Sequence, residues 1–261
     1  MNDHPQSTAT AKSERVNSHY DARFYEGIVP GSSQSAKQIV PQLLDIVRPT
    51  SVVDVGSGAG SWSSVFLDEG IADLVAIDGD YVKPEQLQIP RSYFKSMDLE
   101  VSIRLDRTFD LALCLEVAEH LTPGRAESLV NDLVSLAPVV AFSAAIPGQG
   151  GTNHINERWQ SYWRDLFLLA GFDAIDCLRI PNWHNEEIEW WYRQNLFLYV
   201  KRENAHKFRS LASGAPFDIV HPNNFSQKIA LLLAEPGLRD NIKKLLKLLA
   251  SAIKRGASRL S

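Results

Sequence analysis

The run Cys114-Leu115-Glu116-Val117-Ala118-Glu119-His120-Leu121 places two carboxylates and an imidazole close together. It ends an apolar stretch, 109–115, that reads as a buried strand. These are the side chains that ligate divalent cations or move protons near neutral pH. A helical turn after the strand would put Glu116, Glu119 and His120 on one face, at spacings of three and four. Burying such a cluster without a partner is costly, so it calls for a ligand or a proton-transfer role. A second imidazole, His154, closes the loop Pro147-Gly148-Gln149-Gly150-Gly151-Thr152-Asn153-His154 after another apolar run, 139–145. Parallel strands deliver their C-terminal loops to one sheet edge, so His154 is expected beside the 116–120 cluster. Two carboxylates and two imidazoles suit Mg, Mn or Fe, and the mixed nitrogen and oxygen set does not choose among them. Two other readings compete. His154 acts as a metal-free general base oriented by Glu119 or Glu157, or Glu116 and Glu119 are favourable charges at a helix start.

The elements that must position these groups alternate along the chain. Strand-like runs fall at 51–55, 74–77, 109–115, 139–145, 172–179 and 195–201, with helical patterns at 61–69, 123–136 and 158–170. An earlier helix carries Ile39, Leu43, Leu44 and Val47 and stops near Pro49. Apolar strands alternating with helices predict an α/β, mostly parallel sheet covered on both faces. A long polar and aromatic connection, 181–194, precedes the last strand.

The first strand runs into Val52-Val53-Asp54-Val55-Gly56-Ser57-Gly58-Ala59-Gly60, a Gly-rich turn opening a helix. Its G-x-G-x-G spacing differs from the G-x-G-x-x-G of a dinucleotide loop. Asp54 would repel a pyrophosphate and suits a ligand with cationic or hydroxyl-rich parts. Asp78 ends the second strand about twenty residues further on, where a carboxylate can accept two ribose hydroxyls. Asp98 and Leu99 follow a third, weaker strand region.

These residues resemble the cofactor loop of class I S-adenosylmethionine (SAM)-dependent methyltransferases, and the resemblance extends over about 35–202. It implies a Rossmann-like, seven-stranded, mostly parallel sheet with a late antiparallel strand. It implies SAM as cofactor, with Asp54, Gly56, Gly58 and Gly60 facing the methionine part and Trp62 packing near it. Asp78 would hold the ribose, and Asp98 and Leu99 the adenine. Gln34 and Ser35 lie where relatives touch the cofactor from the preceding helix. Cys114 and Glu116, at the end of strand four, would lie beside the transferred methyl group. The pattern Glu-x-x-Glu-His with a later histidine resembles small-RNA 3′-terminal 2′-O-methyltransferases and some quinone-biosynthesis O-methyltransferases. There the equivalents of Glu116, Glu119, His120 and His154 bind a divalent cation, and by that resemblance His154, Glu119 and His120 are the catalytic candidates here. The stretches 154–163, 190–195 and 217–222 also resemble bacterial methyltransferases linked with surface polysaccharides or natural-product sugars. The implied reaction is O-methylation of a sugar or sugar-bearing small molecule. Methyl transfer to an amine, an RNA 3′-end 2′-O-methyltransferase and a non-catalytic SAM-binding scaffold are the alternatives.

Bulk properties bound these readings. The chain has 261 residues, a formal net charge of −4 and 44% hydrophobic residues. The acidic balance argues against DNA and, less strongly, against RNA as partner. Two cysteines in apolar runs, no membrane-length apolar segment and a polar start without a signal-peptide core predict a cytoplasmic protein. Composition sets off a disordered tail (1–16) and a helical C-terminal extension (203–261) from the part between them (17–202), which the resemblance implies is a methyltransferase domain. The extension contains an amphipathic basic stretch, 241–260, suited to self-association, to docking on the domain, or to peripheral attachment at an anionic membrane.

Overall fold

The computed structural model describes residues 22–234, 237, 240–243 and 245–246. The expected tail, 1–16, and most of the basic stretch, 241–260, lie outside the described residues. Helix α1 (Ala22–Val47) is followed by β1 (Ser51–Val55), α2 (Ser61–Asp68), β2 (Asp73–Asp78), β3 (Phe94–Ser96), β4 (Leu111–Leu115), α3 (Ala126–Leu136) and β5 (Val139–Ser143). Then come α4 (Gln160–Leu169), β6 (Phe172–Ile175), two short helices, α5 (Arg179–Asn182) and α6 (Trp190–Asn195), and β7 (Phe197–Lys201). Helix α7 (Pro222–Ala234) belongs to a separate contact unit, Val220–Ser261. Residues 203–219 group by contact with the strands and helices before them.

The seven strands form one sheet in the order β3-β2-β1-β4-β5-β7-β6. All neighbours pair in parallel except β7, which runs antiparallel between β5 and β6. Strand order reverses between β1 and β4, and in such sheets the ligand crevice opens at the carboxyl ends beside that point. Side-chain alternation explains how both faces are covered. Val52, Leu111 and Leu113 pack in one cluster with Ile39, Leu43 and Phe66 of α1 and α2. Their neighbours Val53, Ala112 and Cys114 pack in the other with Leu129, Leu133 and Phe167 of α3 and α4.

Two expectations change. The run 172–179 stops being a strand at Ile175. Asp176 there pairs with the fully buried Arg179, which starts α5 and also donates to the carbonyls of Pro216 and Phe217 (3.1 and 2.8 Å). The turn after β4 is a 3-10 turn, Ala118–His120, preceded by Glu116 at φ 54°. The left-handed backbone at Glu116 takes it off the helical face that spacing alone would have it share with Glu119 and His120.

Candidate active site at the carboxyl edge of the sheet

The loop after β1 needs left-handed backbone at Gly56, Gly58 and Gly60 (φ 78°, 54° and 86°). A Cβ at Gly56 would also collide with the Val117 side chain, so glycine is required there twice over. Asp78 lies at the end of β2. Its carboxylate accepts the Gly58 and Gly79 amides (2.6 and 2.7 Å) and the Tyr81 hydroxyl. Burial raises its pKa, and these donors pull it back. Asp54 turns under the loop, where it accepts the Ser63 hydroxyl (2.7 Å), and burial lifts its pKa to about 7. Trp62 is a core residue whose indole N–H donates to the Tyr192 hydroxyl (3.3 Å). Ser35 donates to the Gly31 carbonyl and accepts the Glu189 amide. Cys114 is fully buried in the sheet core, and burial drives its thiol pKa up. Asp98 is exposed and accepts the Glu100 amide (2.9 Å), while Leu99 is buried and its carbonyl takes the Arg125 Nε–H (2.8 Å). Arg125, buried against Asp132, thus anchors the turn after β3.

At the ends of β4 and β5, Glu119, His120 and His154 come together. One ligating atom from each lies within 4.8 Å of the others. The His120 and His154 rings meet edge to face at 4.8 Å between centroids. The β5 loop is stitched to the 3-10 turn, since the Ile155 and Asn156 amides both donate to the Glu119 carbonyl (2.9 and 3.0 Å). Glu119 is fully buried, and neither carboxyl oxygen makes a well-formed hydrogen bond with the described residues, although the Glu119 and Ala145 amides and the Glu116 carboxyl lie close enough to act on it. Burial, with the Glu116 carboxyl next in weight, pushes its pKa well above the usual carboxylate range. Burial, reinforced by His154, lowers His120 to about 4, so it is a neutral imidazole at pH 7. A buried carboxyl beside the neutral His120 imidazole and the His154 ring offers a mixed oxygen and nitrogen set that fits a divalent cation.

Glu116 is held differently. Its amide donates to the Ser143 carbonyl (2.9 Å), and its carboxylate accepts Gln149 Nε2 (2.9 Å) and Asn195 Nδ2 (3.3 Å). Behind them, Gln149 Oε1 accepts from Asn195 and Gln194 (2.9 and 3.1 Å). Asn195 Oδ1 accepts from Gln194 (3.0 Å), and Gln160 holds the Ile219 carbonyl (2.9 Å). With those oxygens occupied by donors, the Gln149 and Asn195 N–H groups are left to point at Glu116. The structure thus joins the stretches 154–163, 190–195 and 217–219 in one buried network. Sequence reasoning passed over Gln149, Gln160, Gln194 and Asn195 as site residues. The one signal available was a pair of amides, Gln194-Asn195, just ahead of an apolar run.

Residues 31–137 match a family model described as a methyltransferase domain. That segment is a methyltransferase domain by its family model, and the sheet around it has the Rossmann-like fold of class I SAM-dependent methyltransferases. The malonyl-[acyl-carrier protein] O-methyltransferase of Pseudescherichia vulneris is 28% identical to it over 145 residues, 54% of this chain and 55% of that protein. The chain therefore spans about half the length of that curated relative. The sugar N-methyltransferase of Streptoalloteichus shares the fold, with a TM-score of 0.53 at 14% identity over 69% of this chain and 91% of that one. The magnesium protoporphyrin IX methyltransferase of Synechocystis, solved with SAH, matches at a TM-score of 0.48 and 19% identity over 66% and 84%. No helix among the described residues is long and apolar enough to cross a membrane.

Proposed function

We propose that this chain transfers a methyl group from SAM to a hydroxyl of a sugar or sugar-bearing small molecule. A divalent cation held by Glu119, His120 and His154 would assist. The observation that carries the reading is the convergence of those three residues within 4.8 Å around a fully buried carboxyl. A cation bound there would lower the pKa of an acceptor hydroxyl. The chain's own residues supply the rest. The glycine turn and Asp78 offer a cradle for the cofactor, and Glu119 offers a buried carboxyl that would ionise with a cation beside it. In-line positioning contributes much of the rate, because a sulfonium is already a good leaving group. For the acceptor, Trp159 is 43% exposed just beyond the His154 loop and offers an aromatic face of the kind sugar rings stack on. The resemblance of 154–163 and 190–195 to polysaccharide-linked methyltransferases supports the same class.

A second reading rests on the contact between His154 Nδ1 and Glu157 Oε1 (3.0 Å), which would also serve a metal-free general base. The test is methyl transfer from labelled SAM to a panel of sugar nucleotides and glycans, before and after exhaustive chelation. Product that disappears on chelation and returns with Mg or Mn supports the metal reading. Product indifferent to chelation favours the base, and no sugar product under any condition defeats the proposal.

A further inference from the structure

Glu157 touches three groups at once. Its Oε2 accepts the Gly148 amide (2.7 Å), and its Oε1 accepts the Gly150 amide (2.6 Å) and contacts His154 Nδ1 (3.0 Å). The loop it gathers is contorted, with Gly148, Gly150 and Asn153 all in left-handed backbone (φ 79°, 68° and 58°). A carboxylate with two amide donors already on it is an acceptor, so the His154 Nδ1 beside it must carry the proton. In the neutral ring Nε2 is then the lone-pair nitrogen. A separate feature of the loop bears on that same atom. A Cβ at Gly151 would collide with the His154 ring, and its nearest atom there would be Nε2. Glycine at 151 keeps clear the one nitrogen that Glu157 leaves basic.

We propose that Glu157 is a positioning residue that fixes His154 as the Nδ1–H tautomer. It reserves Nε2, over the open face of Gly151, as the atom that ligates the cation or takes the acceptor proton. Carboxylate partners of ligating histidines set the ring's orientation and raise its basicity. The inference rests on the proposed role of the Glu119–His120–His154 group, yet its first readout needs neither metal nor substrate.

Nitrogen-15 spectra of histidine-labelled, metal-free protein, with His154 assigned through His154→Gln, report the tautomer directly. The expected result is Nδ1–H in the wild type and loss of that preference in Glu157→Ala. Mn affinity, by calorimetry or electron spin resonance, should fall about 10–100-fold in the same variant while SAM binding is retained. Glu157→Gln keeps the side-chain size but sets an NH2 group against the loop amides, so it gives the same reading if the alanine variant unfolds. Gly151→Ala should weaken Mn binding while leaving the tautomer as Nδ1–H. An Nε2–H tautomer in the wild type would overturn the proposal, as would a folded Glu157→Ala with wild-type tautomer and Mn affinity. A wild type that binds no Mn but shows a Glu157-dependent Nδ1–H tautomer supports it, and removes the cation from the proposed function instead.

Discussion

Two acidic edges of the same sheet are built on opposite terms. At the ends of β1 and β2, the chain itself supplies what the carboxylates need. Asp78 has two amides and a tyrosine hydroxyl, and Asp54 has Ser63. At the ends of β4 and β5, Glu116 is served by two side-chain amides, while Glu119 makes no well-formed hydrogen bond among the described residues and has only the nearby Glu119 and Ala145 amides to offset its burial. A buried polar group left unsatisfied costs on the order of 1–3 kcal/mol, and more when charged. The first edge is complete as folded, and its chemistry is reception by preset groups. The second reaches full satisfaction only with a proton or a cation on Glu119, and that is where reactivity can be stored.

The hardest blow to this division should come from Glu119→Gln and His154→Ala. Each is expected to lower kcat/KM about 10²–10⁴-fold while SAM affinity, by calorimetry, stays within a few-fold. Equal loss of SAM binding would mean that the two edges are one site. Asp78→Ala should do the reverse, weakening SAM binding about 10–100-fold, the value of hydrogen bonds to a charged group, with Mn affinity preserved. A more modest change is expected from Asn195→Leu, which strips one donor from Glu116. It should cost about 1–3 kcal/mol and lower Tm by roughly 2–10 °C in a thermal melt. A Tm unchanged in that variant would mean that the amide network does not stabilise Glu116.

The gentlest test uses pH. The Asp54 pKa is raised by burial from 3.8 to about 7, so the folded state holds a proton that the unfolded state has released between those values. Stability from this group is full below about pH 4 and is lost as pH rises through 7. Asp54→Asn should therefore flatten the decline in unfolding free energy between pH 5 and pH 8, measured by denaturant titration. An identical pH slope in wild type and variant would refute the shift.

What could be read from the sequence follows the range of the interactions. The run 51–55 is β1 to the residue, because an apolar strand covered on both faces is a local signal. That His154 meets His120 follows from parallel-strand geometry. The shared face of Glu116, Glu119 and His120 was a helical inference, undone by one left-handed residue that no spacing announces. The Asp176–Arg179 pair cut a strand short, since its partners at 213–217 are remote in the chain. The amide network was hidden for the same reason, as Asn195 reaches Glu116 across a separation of 79 residues.

The antiparallel β7 bears on how the molecule is made. It enters between β5 and β6, directly after helix α6, which ends in Gln194 and Asn195. During synthesis every group of the candidate site from Glu116 to Glu157 leaves the ribosome before α6, whose Asn195 donates to Glu116, and β7 after it exist. Until then β5 presents an unpaired apolar edge, the kind of surface that recruits other chains. Closing the sheet with β7 therefore protects the newborn chain and completes its reactive edge in one late, long-range step, the slow class of folding event.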